Sequence, residues 1–324
     1  MNKRNSAYLQ VTRKCNNGCI FCSNPVFEKE LELDVLFSEI KRLKETGVNE
    51  IVLTGGEPTT YKKIFELIDF IISENLKFRI ISNGVNFVDK EFVGKLKENG
   101  LEHVHVSIHH YIEDVADKLS QVKGHFKKTL QGIRNLIDVG VYVDINSTIN
   151  SLNSGCLSKF IEFMIKKYPE IGHYVFNNLD PGNSDGVHQS RAGQNPWIIA
   201  KFSDMELELS KMVDVLKENN KTFRIERVPL CYMRGFEECS TETRKIVKDE
   251  VYRCSFVQKD SDENVIRTVN PGFDRIKADI CKNCKLNDIC VGVQKEYVNI
   301  YSSSEISPSF ENPVLIEKKI LENE

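Results

Sequence analysis

The sequence predicts an α/β protein, a partial (β/α)6 barrel followed by a smaller domain rich in cysteine. Six short segments with strand character alternate with helical segments over the first two thirds of the 324 residues. Gly47, Gly100 and Gly140 stand where those helices are expected to end. Beyond about residue 180 the alternation stops, and six of the ten cysteines fall between Cys231 and Cys290.

The elements are predicted in order along the chain from local composition and periodicity. Each predicted strand is short, rich in β-branched or aromatic residues, and bounded by glycine, asparagine or charged residues. The six lie at residues 7–12, 50–54, 78–82, 103–109, 141–149 and 173–177, with a further strand expected at 223–228. Helices with apolar residues three or four positions apart connect them, which implies parallel strands with right-handed crossovers. We predict the barrel domain at residues 1–225 and the cysteine-rich domain at residues 226–324.

Two predicted strands have one apolar face and one polar face. The polar face of the fourth strand holds His103, His105, Ser107 and His109, and that of the fifth holds Tyr142, Asp144, Asn146, Thr148 and Asn150. A packed barrel lumen is normally filled by branched apolar residues, so these faces indicate a barrel or open part-barrel around a polar ligand. A solvated sheet face is the alternative. The candidate catalytic residues in this lumen are His105, His109, Tyr142 and Asp144.

Charge and hydropathy exclude several classes of protein. The 44 Lys and Arg are balanced by 47 Asp and Glu, a net charge of −3, and the basic residues are scattered, so we do not expect nucleic acid as a partner. No apolar run approaches the roughly 18 residues of a membrane-spanning helix, and the first ten residues lack the apolar block of a signal peptide. We therefore predict a cytoplasmic protein without a membrane partner. In that compartment clustered thiols more often bind metals than form disulfides.

Three cysteines, Cys15, Cys19 and Cys22, follow directly on the first predicted strand. Thiolates are soft ligands that select zinc, copper(I) or iron–sulfur clusters. Zinc usually takes four protein ligands in a structural site, whereas the histidine nearest in sequence to this trio is His103. A trio leaves one metal position open, which favours a reactive site. A zinc site completed by a distant residue is the alternative.

The segment Cys15-Asn-Asn-Gly-Cys19-Ile-Phe-Cys22 resembles the cysteine motif of the radical S-adenosylmethionine (SAM) superfamily. Thr54-Gly-Gly-Glu-Pro58 resembles the GGE motif of the same family, in the expected order. The resemblance covers about residues 6–225. It implies a [4Fe–4S] cluster held by the three thiolates, whose fourth iron binds SAM, and reductive cleavage of SAM to a 5′-deoxyadenosyl radical.

The resemblance also implies roles for residues around that ligand. Gly55 and Gly56 would let the backbone approach the methionine moiety, and Glu57 would accept hydrogen bonds from its amino group. Phe21 would pack near the adenine. The predicted cofactor-binding residues are Phe21, Gly55, Gly56, Glu57, Pro58, Ser82, Asn83, Ser107 and Asn146.

A second cysteine group, Cys281, Cys284 and Cys290, resembles the core of SPASM and twitch domains. These C-terminal extensions of radical SAM enzymes carry auxiliary [4Fe–4S] clusters. A full SPASM pattern continues with a cysteine where this chain has Gln294, so we expect one auxiliary cluster rather than two.

The fourth ligand of the auxiliary cluster is expected upstream of Cys281. Cys231, which follows Pro229, is the first choice, Cys254 the second and Cys239 the third. A fourth iron open to substrate and a zinc site are alternatives, because C-x2-C is equally a zinc motif. Cys156 is expected to be a buried small apolar residue.

The activity that the resemblance implies is hydrogen abstraction from a substrate, and we expect it to serve an oxidative modification in ribosomal-peptide maturation or natural-product biosynthesis. A small-molecule radical SAM dehydrogenase or rearrangement enzyme is one alternative. An iron–sulfur electron-transfer or binding protein that does not cleave SAM is another. The expected partners are a flavodoxin- or ferredoxin-type electron donor and a peptide or small-molecule substrate. Because the first strand begins at about Ala7, a peptide substrate is expected to need a separate recognition protein or a short leader. Trp197, the single tryptophan, is a candidate substrate anchor.

Overall fold

The computed structural model describes residues 5–23, 30–182, 190–250, 252–257, 264–269 and 274–322. For residues 252–257 and 264–269 the description covers the backbone alone. The strands are β1 (Ser6–Thr12), β2 (Glu50–Gly55), β3 (Lys77–Ser82), β4 (His103–Ser107), β5 (Tyr142–Ile149), β6 (His173–Asn178), β7 (Thr222–Glu226), β8 (Tyr252–Val257), β9 (Asn264–Val269), β10 (Arg275–Ile276) and β11 (Val293–Gln294).

The helices lie between these strands and after them. In the barrel they are α1 (Leu33–Glu45), α2 (Ile64–Ser73), α3 (Lys90–Glu98), α4 (Glu113–Ser120), α5 (His125–Asp138), α6 (Leu157–Lys167), α7 (Arg191–Gln194) and α8 (Phe202–Glu218). Towards the C-terminus they are α9 (Thr241–Lys248), α10 (Lys295–Tyr301) and α11 (Pro313–Glu322). Within the described ranges, no helix combines the length and apolar character needed to cross a membrane.

The strands form one large sheet in the order β7-β6-β5-β4-β3-β2-β1-β8-β9. Neighbours from β7 to β1 pair in parallel, each strand beside the one that precedes it in the chain. This confirms the predicted series of β/α units, with β7 as a seventh strand. β1 pairs with β8 instead of β7, so the barrel is open.

Burial explains why the strands and helices form where they do. Val104 and Val106 of β4 are fully buried, whereas His103, His105 and Ser107 on its other face are partly buried. Apolar residues of the flanking helices pack against the apolar faces; in α1 they are Leu36, Ile40 and Leu43. The apolar side of the sheet thus faces the helices, and its polar side faces the lumen, as the sequence predicts.

The C-terminal part of the chain continues the barrel sheet. β8 runs parallel to β1, with Ala7 opposite Arg253 and Leu9 opposite Ser255, and β9 pairs antiparallel with β8. The sheet therefore extends beyond the division predicted between residues 225 and 226. A separate two-stranded sheet, β10 and β11, lies next in the chain.

Candidate active site

The N-terminal cysteines lie on a loop at the carboxyl end of β1, the edge at which barrel enzymes build their sites. Cys15, Cys19 and Cys22 are partly buried, and their thiols are not joined in disulfides. The Asn17 backbone N–H donates to Cys15 Sγ at 3.4 Å, and the Cys22 N–H donates to the Cys19 carbonyl at 3.2 Å. Residues 13–22 are called the Cys loop below.

The electrostatics of the Cys loop favour a bound cation. Burial raises the pKa of Cys15 to about 11 and that of Cys19 to about 12. The neighbouring thiolates raise these pKa values further, because like charges disfavour one another. A coordinated metal relieves this cost by compensating the thiolate charge. The three thiols thus fit an iron–sulfur cluster with one iron free of protein ligands.

Two glycines bring the end of β2 against the Cys loop. A Cβ on Gly55, whose φ is +139°, would lie 2.2 Å from the Thr12 carbonyl oxygen, and one on Gly56 would lie 2.1 Å from that of Lys14. The Gly56 N–H donates to the Thr12 carbonyl at 2.7 Å. These glycines were expected to make room for the methionine moiety of a ligand. In the structure, their missing side chains leave room for backbone atoms of this chain: those of Thr12 beside Gly55, and those of Lys14 in the Cys loop beside Gly56.

Glu57 connects the end of β2 to the end of β3. Its buried Oε1 accepts hydrogen bonds from the Thr59 N–H, the Thr59 hydroxyl at 2.6 Å and the Ser82 hydroxyl at 2.9 Å. Its Oε2 accepts from the Asn83 N–H at 2.7 Å. Burial raises the pKa of Glu57, and these hydrogen bonds oppose that rise. Four donors from the protein thus occupy the carboxylate, while the contact with a ligand amino group stays a prediction. The buried Pro58 begins the turn that follows.

The hydrogen bond from the Asn83 N–H to Glu57 holds Asn83 next to the Cys loop. Its Nδ2 donates to Asn16 Oδ1 at 2.6 Å and lies 3.9 Å from Cys15 Sγ. Ser82, at the end of β3, donates to Glu57 and accepts from the Gly84 N–H at 3.0 Å. The structure therefore brings the predicted β3 residues together with the first cysteine.

Phe21 and His109 meet at the carboxyl end of β4. Phe21 is 7% exposed, and its ring contacts the His109 ring edge-on at a centroid distance of 4.9 Å. The Thr148 N–H donates to His109 Nδ1 at 3.0 Å. Burial lowers the pKa of His109 to about 3, so the ring is neutral and carries its proton on Nε2. Ser107 and Asn146 are register partners at the same level.

The second cysteine group gathers around Cys231. Burial raises the pKa of Cys231 to about 12, with further contributions from the nearby Cys290 and Cys281. Backbone N–H groups point at the thiols: Ser309 N donates to Cys284 Sγ at 3.2 Å, and Gly292 N donates to Cys290 Sγ at 3.4 Å.

The other candidate ligands lie elsewhere. The charged groups acting on the Cys239 thiol are Glu238, Arg224, Lys217 and Arg244, with no cysteine among them. Cys254 lies opposite Tyr8 in β8, and its side chain is outside the described residues. Gln294 is buried in β11, in register with Arg275. Of the two upstream candidates whose side chains are described, Cys231 is the one whose pKa is raised by thiols of the second group, and its role as the fourth ligand stays a prediction.

Comparison with known proteins identifies the fold that carries these cysteines. The sequence model of the radical SAM superfamily matches residues 9–163, which include the Cys loop and the double glycine. This chain has a radical SAM domain.

Several named proteins resemble this chain in sequence. Fe-coproporphyrin III synthase of Methanosarcina barkeri is 29% identical over 225 residues, 68% of this chain and 52% of that protein. A probable GTP 3′,8-cyclase of Saccharolobus islandicus is 34% identical over 163 residues, 48% of this chain and 51% of that protein. The sporulation killing factor maturation protein SkfB of Bacillus subtilis is 32% identical over 213 residues, which are 65% of this chain and 48% of that protein. The chain spans about half the length of these relatives.

Solved structures share the fold over nearly the whole chain. Native anSMEcpe with bound AdoMet has a TM-score of 0.65 at 17% identity, covering 98% of this chain and 96% of that one. Streptococcus suis SuiB bound to S-adenosylmethionine has a TM-score of 0.63 at 16% identity, and the likeness covers 95% of this chain and 76% of SuiB. The likeness thus includes the cysteine-rich part that follows the radical SAM domain.

A second polar group lies deeper in the radical SAM domain. His103 Nε2 lies 2.8 Å from Asp144 Oδ2, and His105 Nδ1 lies 3.4 Å from the same oxygen. This group has the composition of a metal site. However, Arg79 Nη1 lies 2.9 Å from His105 Nε2, and a guanidinium only donates. His105, whose pKa burial lowers to about 3, therefore carries its proton on Nδ1, the atom that a metal would need.

One predicted lumen residue is half exposed. Tyr142 is the first residue of β5, at the end of the barrel opposite the Cys loop, and is 49% exposed. Its ring contacts the His103 ring of the same polar face edge-on, at a centroid distance of 5.0 Å, and its role as a catalytic residue stays a prediction. His105 and Asp144 lie further along their strands but still about 7 Å short of Ser107 and Asn146.

Two further residues discussed from the sequence, Cys156 and Trp197, are less buried than core residues. Cys156 is half-buried rather than fully buried, and its Sγ lies 3.4 Å from His110 Nε2. Trp197 is 52% exposed, with Lys118 Nζ 5.7 Å from its ring centroid. Trp197 is therefore not part of the hydrophobic core, and its role as a substrate anchor stays a prediction.

Sequence reasoning missed two residues that hold the Cys loop. Asn17 Nδ2 lies 3.2 Å from His125 Nδ1 in a buried contact. Arg191 Nη1 donates to the Cys19 carbonyl at 3.2 Å. Both partners lie more than 100 residues from the Cys loop, and no local motif marks them.

Proposed function

We propose that this protein is an enzyme that reductively cleaves SAM and uses the resulting 5′-deoxyadenosyl radical to abstract hydrogen from a substrate. The observation that carries this proposal is the set of three thiols, none of them in a disulfide, on one loop at the carboxyl end of β1. A [4Fe–4S] cluster bound there supplies the electron for SAM cleavage.

The residues around the Cys loop divide into two roles. Phe21, Ser107, Asn146, Asn83 and His109 lie at the same edge of the sheet and are our candidates for contacts with SAM or substrate. Because the His109 ring is neutral, it acts there as a hydrogen-bond donor through Nε2 rather than as a base.

The second group consists of positioning residues. Gly55, Gly56 and Glu57 hold the Cys loop and the end of β3 in place, and Ser82 belongs to the same hydrogen-bonded set. His105 and Asp144 form the polar floor of the lumen.

The second cysteine group is proposed to hold one auxiliary [4Fe–4S] cluster. Its proposed ligands are Cys231, Cys281, Cys284 and Cys290. The support is that Cys290 and Cys281 raise the pKa of Cys231, and that Cys284 and Cys281 raise the pKa of Cys290. A cluster held by these residues would accept the electron of a substrate radical, which would make the overall reaction an oxidation. A cytoplasmic flavodoxin- or ferredoxin-type protein would supply the electrons for SAM cleavage.

A peptide is the preferred substrate class. SkfB is named a maturation protein, and SuiB has been solved bound to the precursor peptide SuiA. A separate recognition protein would then present the peptide. The second candidate is a small-molecule substrate, favoured by the resemblance to a probable GTP 3′,8-cyclase and to Fe-coproporphyrin III synthase.

Anaerobic reconstitution tests the cofactors. Wild-type protein should bind about eight irons per chain, and replacing Cys15, Cys19 and Cys22 by alanine should remove about half. Cys231→Ala should lower the iron content or make the auxiliary cluster labile, whereas Cys239→Ala, the matched control, should match wild type. About four irons together with zinc in the wild type would contradict the auxiliary cluster.

SAM cleavage separates the enzyme from an electron carrier. Reduced protein mixed with SAM should release 5′-deoxyadenosine, and the triple cysteine variant should release none. If the wild type carries its clusters but releases none with peptide or small-molecule candidates, the electron-transfer alternative is favoured.

A further inference from the structure

The segment after β6 contacts the Cys loop through Arg191. The backbone N–H of Arg191 donates to the Cys22 carbonyl at 3.0 Å, and its Nη1 donates to the Cys19 carbonyl at 3.2 Å. A Cβ on Gly18 would lie 3.8 Å from the same Nη1. A single residue thus holds the backbone of two of the three thiol-bearing positions.

Arg191 is itself fixed by its neighbours. Ser190 Oγ accepts from the Ala192 N–H at 3.2 Å and donates to the Asp180 carbonyl at 2.8 Å. Asn195 Nδ2 donates to the Arg191 carbonyl at 2.9 Å. A Cβ on Gly193 would lie 2.9 Å from the Pro181 carbonyl oxygen, so this turn packs closely on the chain leaving β6. Arg191 therefore reaches the Cys loop from an anchored backbone.

Several other contacts of the Cys loop are hydrogen bonds between uncharged backbone groups. The Gly18 and Ile20 N–H groups donate to the Ser120 and Leu119 carbonyls at the end of α4. The Glu57 N–H, on the side of β2, donates to the Lys14 carbonyl at 2.8 Å. Arg191 differs because its guanidinium brings a permanent positive charge against the Cys19 backbone.

We propose that Arg191 is a positioning residue for the SAM-binding cluster: it fixes the carbonyls of Cys19 and Cys22 and lends positive charge to the reduced cluster. The inference rests on the proposed function. A reduced cluster carries one more negative charge than an oxidised one, so a nearby cation favours reduction. Partners of metal ligands that do not touch the metal typically change its affinity 10- to 100-fold when mutated.

Two variants separate the charge from the hydrogen bonds. Arg191→Gln keeps a donor but removes the charge, and Arg191→Lys keeps the charge but loses the planar fork. Arg42→Gln is the matched control, because the half-exposed Arg42 pairs with Glu39 within α1 rather than with the Cys loop. Each protein is reconstituted, its folding is checked by circular dichroism, and the reduced cluster is titrated by electron paramagnetic resonance. The signal that changes on addition of SAM identifies the cluster concerned.

Arg191→Gln should shift the midpoint potential of that cluster to more negative values. It should also speed iron loss to a chelator about 10- to 100-fold. Arg191→Lys should retain the wild-type potential and still lose iron faster. If Arg191→Gln fails to hold the cluster, retention by Arg191→Lys supports the role of the charge.

The inference is overturned if the potential and iron-loss rate of Arg191→Gln both equal those of Arg42→Gln. It is also overturned if neither variant takes up a cluster while both fold as wild type does, because the charge then makes no difference. A wild-type chain that takes up no cluster would instead overturn the proposed function itself, and this inference with it.

Discussion

At the scale of single residues, Gly56 decides how closely β2 approaches the Cys loop. The Cβ that any other residue adds would lie 2.1 Å from the Lys14 carbonyl oxygen and 2.6 Å from that of Arg13. Both obstacles are backbone atoms, so they cannot rotate away as a flexible side chain can. The whole Cys loop would have to move, and with it Cys15.

Gly56→Ala should therefore impair uptake of the SAM-binding cluster, because displacing backbone moves the thiols out of register with one another. We expect the iron content after reconstitution to fall by about half, as for loss of one of two four-iron clusters. Gly94→Ala is the control, because a Cβ there meets nothing within 4 Å in helix α3. It should stabilise the protein by about 0.5 to 1 kcal/mol and leave iron uptake unchanged. Equal iron contents in the two variants would contradict this role for Gly56.

A second residue-scale prediction concerns His105. Burial lowers its pKa to about 3, so the folded state disfavours the protonated ring, whereas the unfolded chain takes up a proton near pH 6.5. The stability contributed by neutral His105 is therefore present above about pH 6.5 and is lost as the pH falls towards 3.

Between pH 7.5 and 5.5 this loss amounts to about 1 kcal/mol in the free energy of unfolding. His105→Gln, which does not titrate, should show a pH-dependent loss smaller by that amount. Urea unfolding of the metal-free chains at the two pH values measures it, because acid also releases iron. The same pH dependence in both proteins would refute the assignment.

At the scale of elements, the Cys loop supplies hydrogen-bond donors to the backbone carbonyls at the end of α4. The last carbonyl groups of a helix have no partner within it. In α4, the Leu119 and Ser120 carbonyls accept from the Ile20 and Gly18 N–H groups at 3.0 and 2.9 Å. Asp117 fixes the turn into α5, since its carboxylate accepts from the Gly124 and Phe126 N–H groups.

Asp117→Ala should consequently weaken both the fold and the Cys loop. Removing the carboxylate leaves two N–H groups without their partner, at a cost of about 2 kcal/mol in the free energy of unfolding. Asp89→Ala, which removes the N-cap of α3, should cost about 1 kcal/mol and leave the Cys loop untouched. Urea unfolding measures both costs. Cluster uptake should fall only in Asp117→Ala; a parallel fall in both variants would mean that general destabilisation is responsible.

The elements themselves were largely predictable. The bounds of β1 to β6 agree with the predicted strands within two residues, because each strand is a short run of β-branched and aromatic residues between glycine, asparagine or charged residues. Alternation in β5 specifies the face on which Tyr142 lies but not how far a residue at the end of the strand is enclosed, so it did not reveal that Tyr142 is half exposed. The contacts of Arg191 and the pairing of β8 with β1 join distant parts of the chain, and no local pattern reveals them.

At the scale of the whole molecule, the pairing of β8 with β1 makes the strand that leads into the Cys loop an interior strand. β1 has β2 on one side and β8 on the other. Without residues beyond 225, one side of β1 would become an open sheet edge, which promotes aggregation. The predicted cysteine-rich domain thus completes the sheet of the barrel as well as carrying the second cysteine group.

A fragment of residues 1–225 should therefore aggregate or form mixed oligomers. A fragment of residues 1–312, which keeps all the described strands, should remain monodisperse at matched concentration. Size-exclusion chromatography distinguishes these outcomes, and hydrogen exchange should show protected β1 amides in the full chain and faster exchange in residues 1–225. A monodisperse 1–225 fragment with protected β1 amides would show that the barrel is complete by itself.

The sheet order also has a consequence for biosynthesis. Roughly 240 residues separate the end of β1 from the start of β8, which the ribosome adds in about 12 to 48 s at about 5 to 20 residues per second. During that time the nascent chain exposes the open edge of β1, and until Arg191 has been synthesised the Cys loop lacks that partner as well. We therefore expect iron–sulfur carriers to load the N-terminal cysteines only after translation is nearly finished, so that the first motif to be translated is among the last to mature.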